Sequence, residues 1–467
     1  MNHISSKDSS EYKYGVISAT YNVGDYLDDY FQSLIRQTLD FKTHIYIVLI
    51  DDGSTDNSSE IISKWQKKYP NNIEYIKKAN GGQASARNLG LECMKTEWVT
   101  FIDPDDFVDR RYFEEVDKAI GNSQDLDLSM IGCNIQYYFE KLKLYLDRHP
   151  LKYRFKSGNT YSLIEDLNKN IQLSASAAFF RTDLIQASHL KFDTRIKPNF
   201  EDAHFVNTYL IENYQTSVSF VKDAKYYYRR RKIKNSTLDS AWEKSELYDD
   251  VLHFGCLDLF ERANKKLGKV PEFLQRTILY HLSWYYKYIV DHPEFIDFLS
   301  SEQKATFQML LTKNFEYVNM DTIENFDLSG IDDYIKQGWA NVYKKSFLPY
   351  QIIYLEKQDK KLQLHYYANE PQSLHIKIDD MTITTPDFVT SEHTFIEKNF
   401  INKYQFELPL TNTMKTISIY IESYPTYLKT YSNKSLDKIE ITNIQSKNIK
   451  NLKQLLYNFV RKIILGN

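Results

Sequence analysis

An α/β fold followed by a helical segment and a small antiparallel β-domain is what this chain of 467 residues predicts. Three observations carry that reading. Short apolar runs alternate with amphipathic helical stretches through the first 120 residues. One run, Ile45–Ile50, is apolar throughout, as in a parallel strand covered on both faces. The pattern then changes twice, near residues 240 and 348, first to aromatic-rich helix (Leu279–Tyr286) and then to alternating strands separated by Asn, Asp, Pro and Ser turns.

Taken in order, Tyr14–Thr20 reads as a strand and Tyr26–Gln37 as a helix with Leu27, Tyr30, Phe31, Leu34 and Ile35 on one face. Ile45–Ile50 ends in the acidic turn Asp51-Asp52-Gly53-Ser54-Thr55-Asp56, and a helix from Ser58 to Lys68 follows. Ile73–Lys77 is a short strand, Gly82–Met94 a Gly-led helix, and Trp98–Ile102 a strand ending in Asp103-Pro104-Asp105-Asp106. This rhythm predicts a doubly wound parallel sheet, whose ligands bind outside the carboxyl ends of the strands. Both acidic clusters sit there. Residues 121–240 read as α+β and close over the site. The predicted organisation is a flexible N-terminus (1–12), an α/β domain (13–240), a helical linker domain (241–348), a β-sandwich (349–445) and a basic amphipathic C-terminal helix (446–467). That last helix suits a membrane surface, its own domain or a neighbouring subunit.

Composition narrows the function classes. A net charge of −3 gives no global drive toward nucleic acid or anionic membrane. The three cysteines, Cys93, Cys133 and Cys256, have neither metal-type nor disulfide-type spacing. Residues 1–13 do not form a signal peptide, and no apolar run approaches the ~18 residues of a membrane span. The expectation is a cytoplasmic protein, with peripheral contact to the inner membrane surface through its C-terminus as one of the alternatives left open for that helix. Aromatics make up 15% of the chain, which suits sugar-stacking surfaces and Tyr-rich cores equally.

Four local clusters bear on chemistry. Carboxylates crowded in Asp103-Pro104-Asp105-Asp106 repel one another unless a cation sits between them, and Mg²⁺ or Mn²⁺ is the natural occupant. Read blandly, it is an acidic turn. The stretch from Asn80 to Asn88 puts Gly81, Gly82 and Arg87 at a helix start, a place that favours anions but is also ordinary capping. Glu201-Asp202 lies in an apolar stretch, where one acid could deprotonate a hydroxyl or simply cap a helix. The run Arg229-Arg230-Arg231, with Ser236 and Thr237 beyond it, could neutralise a diphosphate or be a solvated basic loop.

In this order the clusters resemble the inverting GT-A glycosyltransferases of family 2, which include bacterial teichoic-acid and capsule sugar transferases. The resemblance rests on Ser18-Ala19-Thr20-Tyr21-Asn22, Val48–Asp56, Asn80-Gly81-Gly82 with Ala86-Arg87-Asn88, Phe101–Asp106 and Glu201-Asp202, and covers residues 13–240. Ala19 stands where the family often has Pro, and Pro104 where it has a small polar residue. The resemblance implies that Thr20 and Tyr21 flank a nucleotide base, and that Asp51 or Asp52 binds uracil or ribose. It puts Asn80 and Arg87 on the base and ribose side. Asp103 would touch the ribose or metal, and Asp105 would ligate Mn²⁺ or Mg²⁺ directly. Asp202 would be the general base with Glu201 beside it, and Arg229, Arg231, Ser236 and Thr237 would close over the diphosphate. The implied reaction is metal-dependent transfer of a hexose or N-acetylhexosamine from a UDP-sugar to a polysaccharide, teichoic-acid or glycolipid hydroxyl. Nucleic acid is not an expected partner, and self-association through the C-terminal region is.

Three other readings compete. A haloacid-dehalogenase-type phosphatase would explain an Asp-x-Asp after a strand but not the Asn80–Asn88 element. A Ca²⁺ loop starting at Asp103 fails because Val108 stands where Gly is required. A non-catalytic carbohydrate-binding or scaffold protein on the same fold would be expected to lack acids that this chain keeps at Asp103, Asp105 and Asp202.

Overall fold

Strands β1 (Tyr14–Thr20), β2 (Ile45–Asp51), β3 (Ile73–Lys77) and β4 (Trp98–Phe101) form the parallel half of a ten-stranded sheet. β1 pairs with both β2 and β4, and β2 pairs with β3, in parallel register. The crossovers run through α1 (Gly24–Ile35), the single turn α2 (Phe41–His44), α3 (Ser58–Lys68) and α4 (Gln83–Cys93). Every residue of β2 is buried, as a strand covered on both faces must be. From α1, Leu27, Tyr30, Phe31 and Leu34 enter the core beside Val16, Ile47 and Leu49. Helix α4 lies unusually close to β1 because position 90 is glycine. A Cβ there would sit 2.4 Å from Ile17 Cγ2.

The second half leaves the parallel pattern, in keeping with the α+β reading of residues 121–240. It contains β5 (Phe107–Val108), α5 (Tyr112–Gly121), β6 (Leu128–Phe139), β7 (Leu144–Leu146), β8 (Thr160–Leu163), β9 (Ala178–Arg181), α6 (Thr182–Ala187), α7 (Glu201–Glu212) and β10 (Ser217–Arg230). The spatial order is β3-β2-β1-β4-β9-β6-β10-β5. β9 runs antiparallel to both β4 and β6, so the sheet is mixed. No crossover helix precedes β9, and without one the chain enters the sheet in the reverse direction. The four parallel strands still end on one side, with Thr20 opposite Asp51 and Asp51 opposite Lys77. Their following loops therefore share one edge.

The described residues of this computed structural model are 9–231, 240–358, 361–379, 381–384, 387–409, 416–421, 425–430 and 440–442. Chain contacts divide the protein into Met1–Trp284 with Phe295–Thr322, and Tyr285–Glu294 with Ile323–Asn467. The first unit holds the large sheet and adds helices such as Asp258–Leu267 and Ser301–Glu316. The second contains a five-stranded and a four-stranded sheet. Leu364, Phe406, Ile376 and Ile419 from the two sheets share one apolar core, and strand Lys361–Ala368 alternates buried and partly exposed positions. The predicted C-terminal helix, 446–467, lies outside the described residues. No described helix is long and apolar enough to cross a membrane.

Gly90→Ala is expected to destabilise the fold by about 1–3 kcal/mol through overpacking against Ile17. Gly121→Ala, where nothing lies within 4 Å of the added Cβ, is the matched control and should stay within about 0.5 kcal/mol. Denaturant unfolding of the two variants checks this, and equal losses would contradict the close packing of α4 on β1.

Candidate active site

The loops after β1, β2 and β3 interlock through the acidic turn at 51–56. Gly53 has φ +84°, and a Cβ there would approach the Asn80 backbone nitrogen to 3.2 Å, so glycine is required on both counts. Asp51 is fully buried and accepts hydrogen bonds from Ser54 N (2.7 Å), Ser59 Oγ (2.8 Å) and Tyr75 Oη (2.7 Å). Burial alone would raise its carboxyl, but these donors outweigh burial and hold it below the usual range. Asp52 accepts from Gly81 N (2.9 Å) and Gly82 N (2.7 Å), and pairs with Lys78 Nζ at 2.6 Å. Both acids thus shape the loop edge from within. Tyr21 is 51% exposed at that edge, and Asn80 is also exposed. Thr20 is fully buried, with no hydrogen-bond partner for Oγ1 among the described residues.

Arg87, on α4, organises the next layer. Its side chain is 1% exposed and is packed against the rings of Phe101 and Phe192. Nη2 donates to Asp103 Oδ1 at 2.9 Å, Nη1 donates to Asp202 Oδ1, and Glu201 Oε1 lies 3.8 Å from Nη1. Asp103 is held further by Ser176 Oγ (2.9 Å to Oδ2) and Gln83 Nε2 (3.3 Å to Oδ1). Asp202 Oδ2 accepts from Ala175 N at 3.1 Å. One buried cation on α4 therefore joins acids from two separate segments, the end of β4 and the start of α7.

Glu201 and Asp202 open α7, next to Phe200, whose backbone is left-handed at φ 81°. A non-glycine residue there is strained, and the cost is offset by burying its ring against His281, with ring centroids 4.4 Å apart. A helix N-terminus favours carboxylates. Burial dominates nevertheless, seconded by the neighbouring Asp202, and pushes Glu201 up to about 7 despite Arg87. Asp202 is likewise raised, by burial first, with Arg87 opposing and Asp103 adding to the rise.

The Asp103–Asp106 turn closes with Asp106 N donating to the Asp103 carbonyl at 2.9 Å. Asp106 is 2% exposed and ties the turn to β10 by accepting from Tyr226 Oη and Arg229 N, both at 2.7 Å. Asp105 instead faces Arg231, whose Nε donates to Oδ2 at 3.1 Å. Burial raises Asp105 and, more strongly, Asp106, whose neighbours Asp105 and Asp103 push it further.

Arg229 departs from its predicted place over a diphosphate. It is 5% exposed, donates from Nε to the Asp105 carbonyl (2.7 Å) and from Nη2 to Asp29 (2.9 Å), and lies among the rings of Tyr26, Phe107 and Tyr138. Its position is that of a residue that holds the turn. Ser236 and Thr237 lie outside the described residues. Ser176, Ala175 and Gln83 are site neighbours that sequence reasoning missed. The only signal for the first two was the small-residue run Ser174–Ala178.

For a divalent cation, no cluster of three or more His, Cys, Asp and Glu suited to a metal occurs among the described residues. Asp103 and Asp105 offer oxygen donors alone, and two carboxylates completed by ligand phosphates are how Mg²⁺ is commonly held. Among the described residues, Asp103, Glu201 and Asp202 share the guanidinium of Arg87, Asp105 pairs with Arg231, and Asp106 accepts from the backbone N–H of Arg229, not from its guanidinium. The donor set and its excess negative charge fit Mg²⁺ or Mn²⁺.

A mixed α/β sheet with acids at its strand ends defines a GT-A-like domain, and residues 15–187 match the family model for glycosyl transferase family 2. That match covers the N-terminal part of the chain alone. Minor teichoic acid biosynthesis protein GgaB of Bacillus subtilis is 28% identical over 379 residues, 80% of this chain and 39% of that protein. GgaA from the same organism is 30% identical over 291 residues, 60% of this chain and 63% of the other. The chain thus spans less than two thirds of either relative. Among solved structures, Staphylococcus aureus TarS 1–349 in complex with UDP-GlcNAc superposes with a TM-score of 0.54 at 19% identity, covering 71% of this chain and 88% of that one. That likeness shows the fold.

A carboxyl raised to about 7 makes folding favour its protonated form. Its stabilising contribution is complete below the unfolded value near 4.5 and is lost as pH rises through about 7. Glu201→Gln should therefore flatten the fall in Tm between those pH values. An identical pH profile for variant and parent would contradict the raised carboxyl.

Proposed function

We propose that the protein is an inverting glycosyltransferase that moves a hexosyl or N-acetylhexosaminyl group from a UDP-sugar to a hydroxyl of a cell-surface glycan or teichoic-acid-like polymer. The observation that carries this reading is the joining of Asp103 and Asp202 by the single buried guanidinium of Arg87, within a family 2 domain. Support for the substrate class comes from the relatives: two B. subtilis minor teichoic acid biosynthesis proteins and a TarS domain complexed with UDP-GlcNAc.

In this proposal Tyr21 and the loop edge at Asp52 and Asn80 flank the nucleotide, while Arg231 reaches toward the diphosphate. Asp103 and Asp105 would hold Mn²⁺ or Mg²⁺, which when bound neutralises charge on the departing diphosphate. Asp202 accepts the proton of the attacking hydroxyl. The acceptor oxygen bonds to the anomeric carbon, the bond from that carbon to the diphosphate breaks, and UDP leaves with the electron pair. A raised carboxyl is the better base at neutral pH, which is what burial achieves at Asp202. Arg87 orients it, and the Ala175 N–H fixes its other oxygen. The proposed setting is the cytoplasmic face of the membrane, where residues 446–467 would give peripheral contact or self-association.

Incubation with UDP-GlcNAc, UDP-GalNAc, UDP-Glc and UDP-Gal, with a polyol-phosphate polymer as acceptor, tests the reading through UDP release and polymer mass. Asp202→Asn should keep UDP affinity and lower kcat by about 10²-fold or more. Near-normal turnover in that variant would remove Asp202 as the base.

A further inference from the structure

Beside the Asp103–Asp106 turn, on the face formed by α1 and β5, lies a cavity of about 360 Å³ that the mechanism above does not use. Its size falls within the roughly 300–1,000 Å³ of small-molecule sites. Three rings make one wall. Phe107 and Tyr138 meet edge to face at 5.1 Å, Tyr138 and Tyr145 lie 4.9 Å apart, and Tyr145 is 49% exposed. Such a wall suits the C–H face of a sugar or a polyol chain. Asp29 and Gln32, on α1, supply hydroxyl partners; Asp29 has one oxygen held by Arg229 while its side chain stays 65% exposed. At the rim stand Arg36 and Arg110, both exposed, and neither forms an ion pair with a described residue. Two unpaired guanidiniums beside an aromatic wall are a fork for a phosphate group.

We propose that this cavity binds one phosphate-bearing sugar or polyol unit, apart from the donor site. As a binding site it stands on the cavity's own chemistry. As a grip on a repeat of the acceptor polymer, it rests on the transferase reading. Arg229 connects the two places, since its guanidinium contacts both Asp29 and the Asp105 carbonyl. A unit held here would be anchored against the turn that carries Asp103 and Asp105.

Titration calorimetry on the full chain tests this with three probes: N-acetylglucosamine 1-phosphate, a glycerol-phosphate trimer and neutral N-acetylglucosamine. One or both phosphorylated probes should bind, the trimer alone indicating a polyol-phosphate source and the sugar phosphate alone a phosphosugar source. The neutral sugar should bind at least about tenfold more weakly. Saturating UDP should not displace the bound probe. Arg36→Gln with Arg110→Gln should weaken the phosphorylated probes by about tenfold or more, leaving UDP affinity and Tm unchanged. Tyr145→Ala should weaken them independently. Failure of both phosphorylated probes to bind, displacement by UDP, or undiminished binding in the double variant overturns the proposal. UDP release from nucleotide sugars is read separately: its absence with probe binding intact overturns the transferase reading alone, and the converse overturns the cavity alone.

Discussion

Arg87 is a fully buried cation, and the placement of the candidate catalytic acids depends on it. A guanidinium this buried is costly to desolvate, and only several carboxylates arranged around it make the burial tolerable. Asp103 arrives from the end of β4, Asp202 and Glu201 from the start of α7, and Ser176 from the loop before β9. The close seating of α4 on β1, which Gly90 permits, decides where the guanidinium can reach. Local packing in the parallel half of the sheet thus fixes the separation of acids that are about a hundred residues apart in the chain.

The same charge balance sets the chemistry. The carboxyls outnumber the guanidiniums around them, so burial and mutual repulsion raise Glu201, Asp202, Asp105 and Asp106 together. On one side of Arg87 the excess suits a hard cation and a diphosphate, and on the other it leaves a carboxylate more basic than usual. Arg229 and Asp106 perform a quieter task. They clamp β10 to the turn, so Asp103 and Asp105 are presented from a fixed edge.

The strands β1 to β4 and the acidic turns were legible because apolar period and turn chemistry are local signals. Ile45–Ile50 could hardly be anything other than a covered strand. The antiparallel β9 was not legible, since strand direction depends on how the chain re-enters the sheet. Ser176 and Ala175 escaped for a related reason: small residues acquire meaning only when folding brings them against Asp103 and Asp202. Arg229 illustrates the opposite error. A basic run reads as an anion site, yet α1 and three aromatic rings bury this member and turn it toward the scaffold.

The energetic linkage of Asp103 and Asp202 through Arg87 is tested most directly by a mutant cycle in unfolding free energy. Asp103→Asn and Asp202→Asn are each measured in the parent protein and in Arg87→Gln. Coupling of about 0.5–3 kcal/mol between Arg87 and each acid is the expected result, with both acid substitutions far less damaging once the guanidinium is gone. Additive effects at both positions would contradict the account.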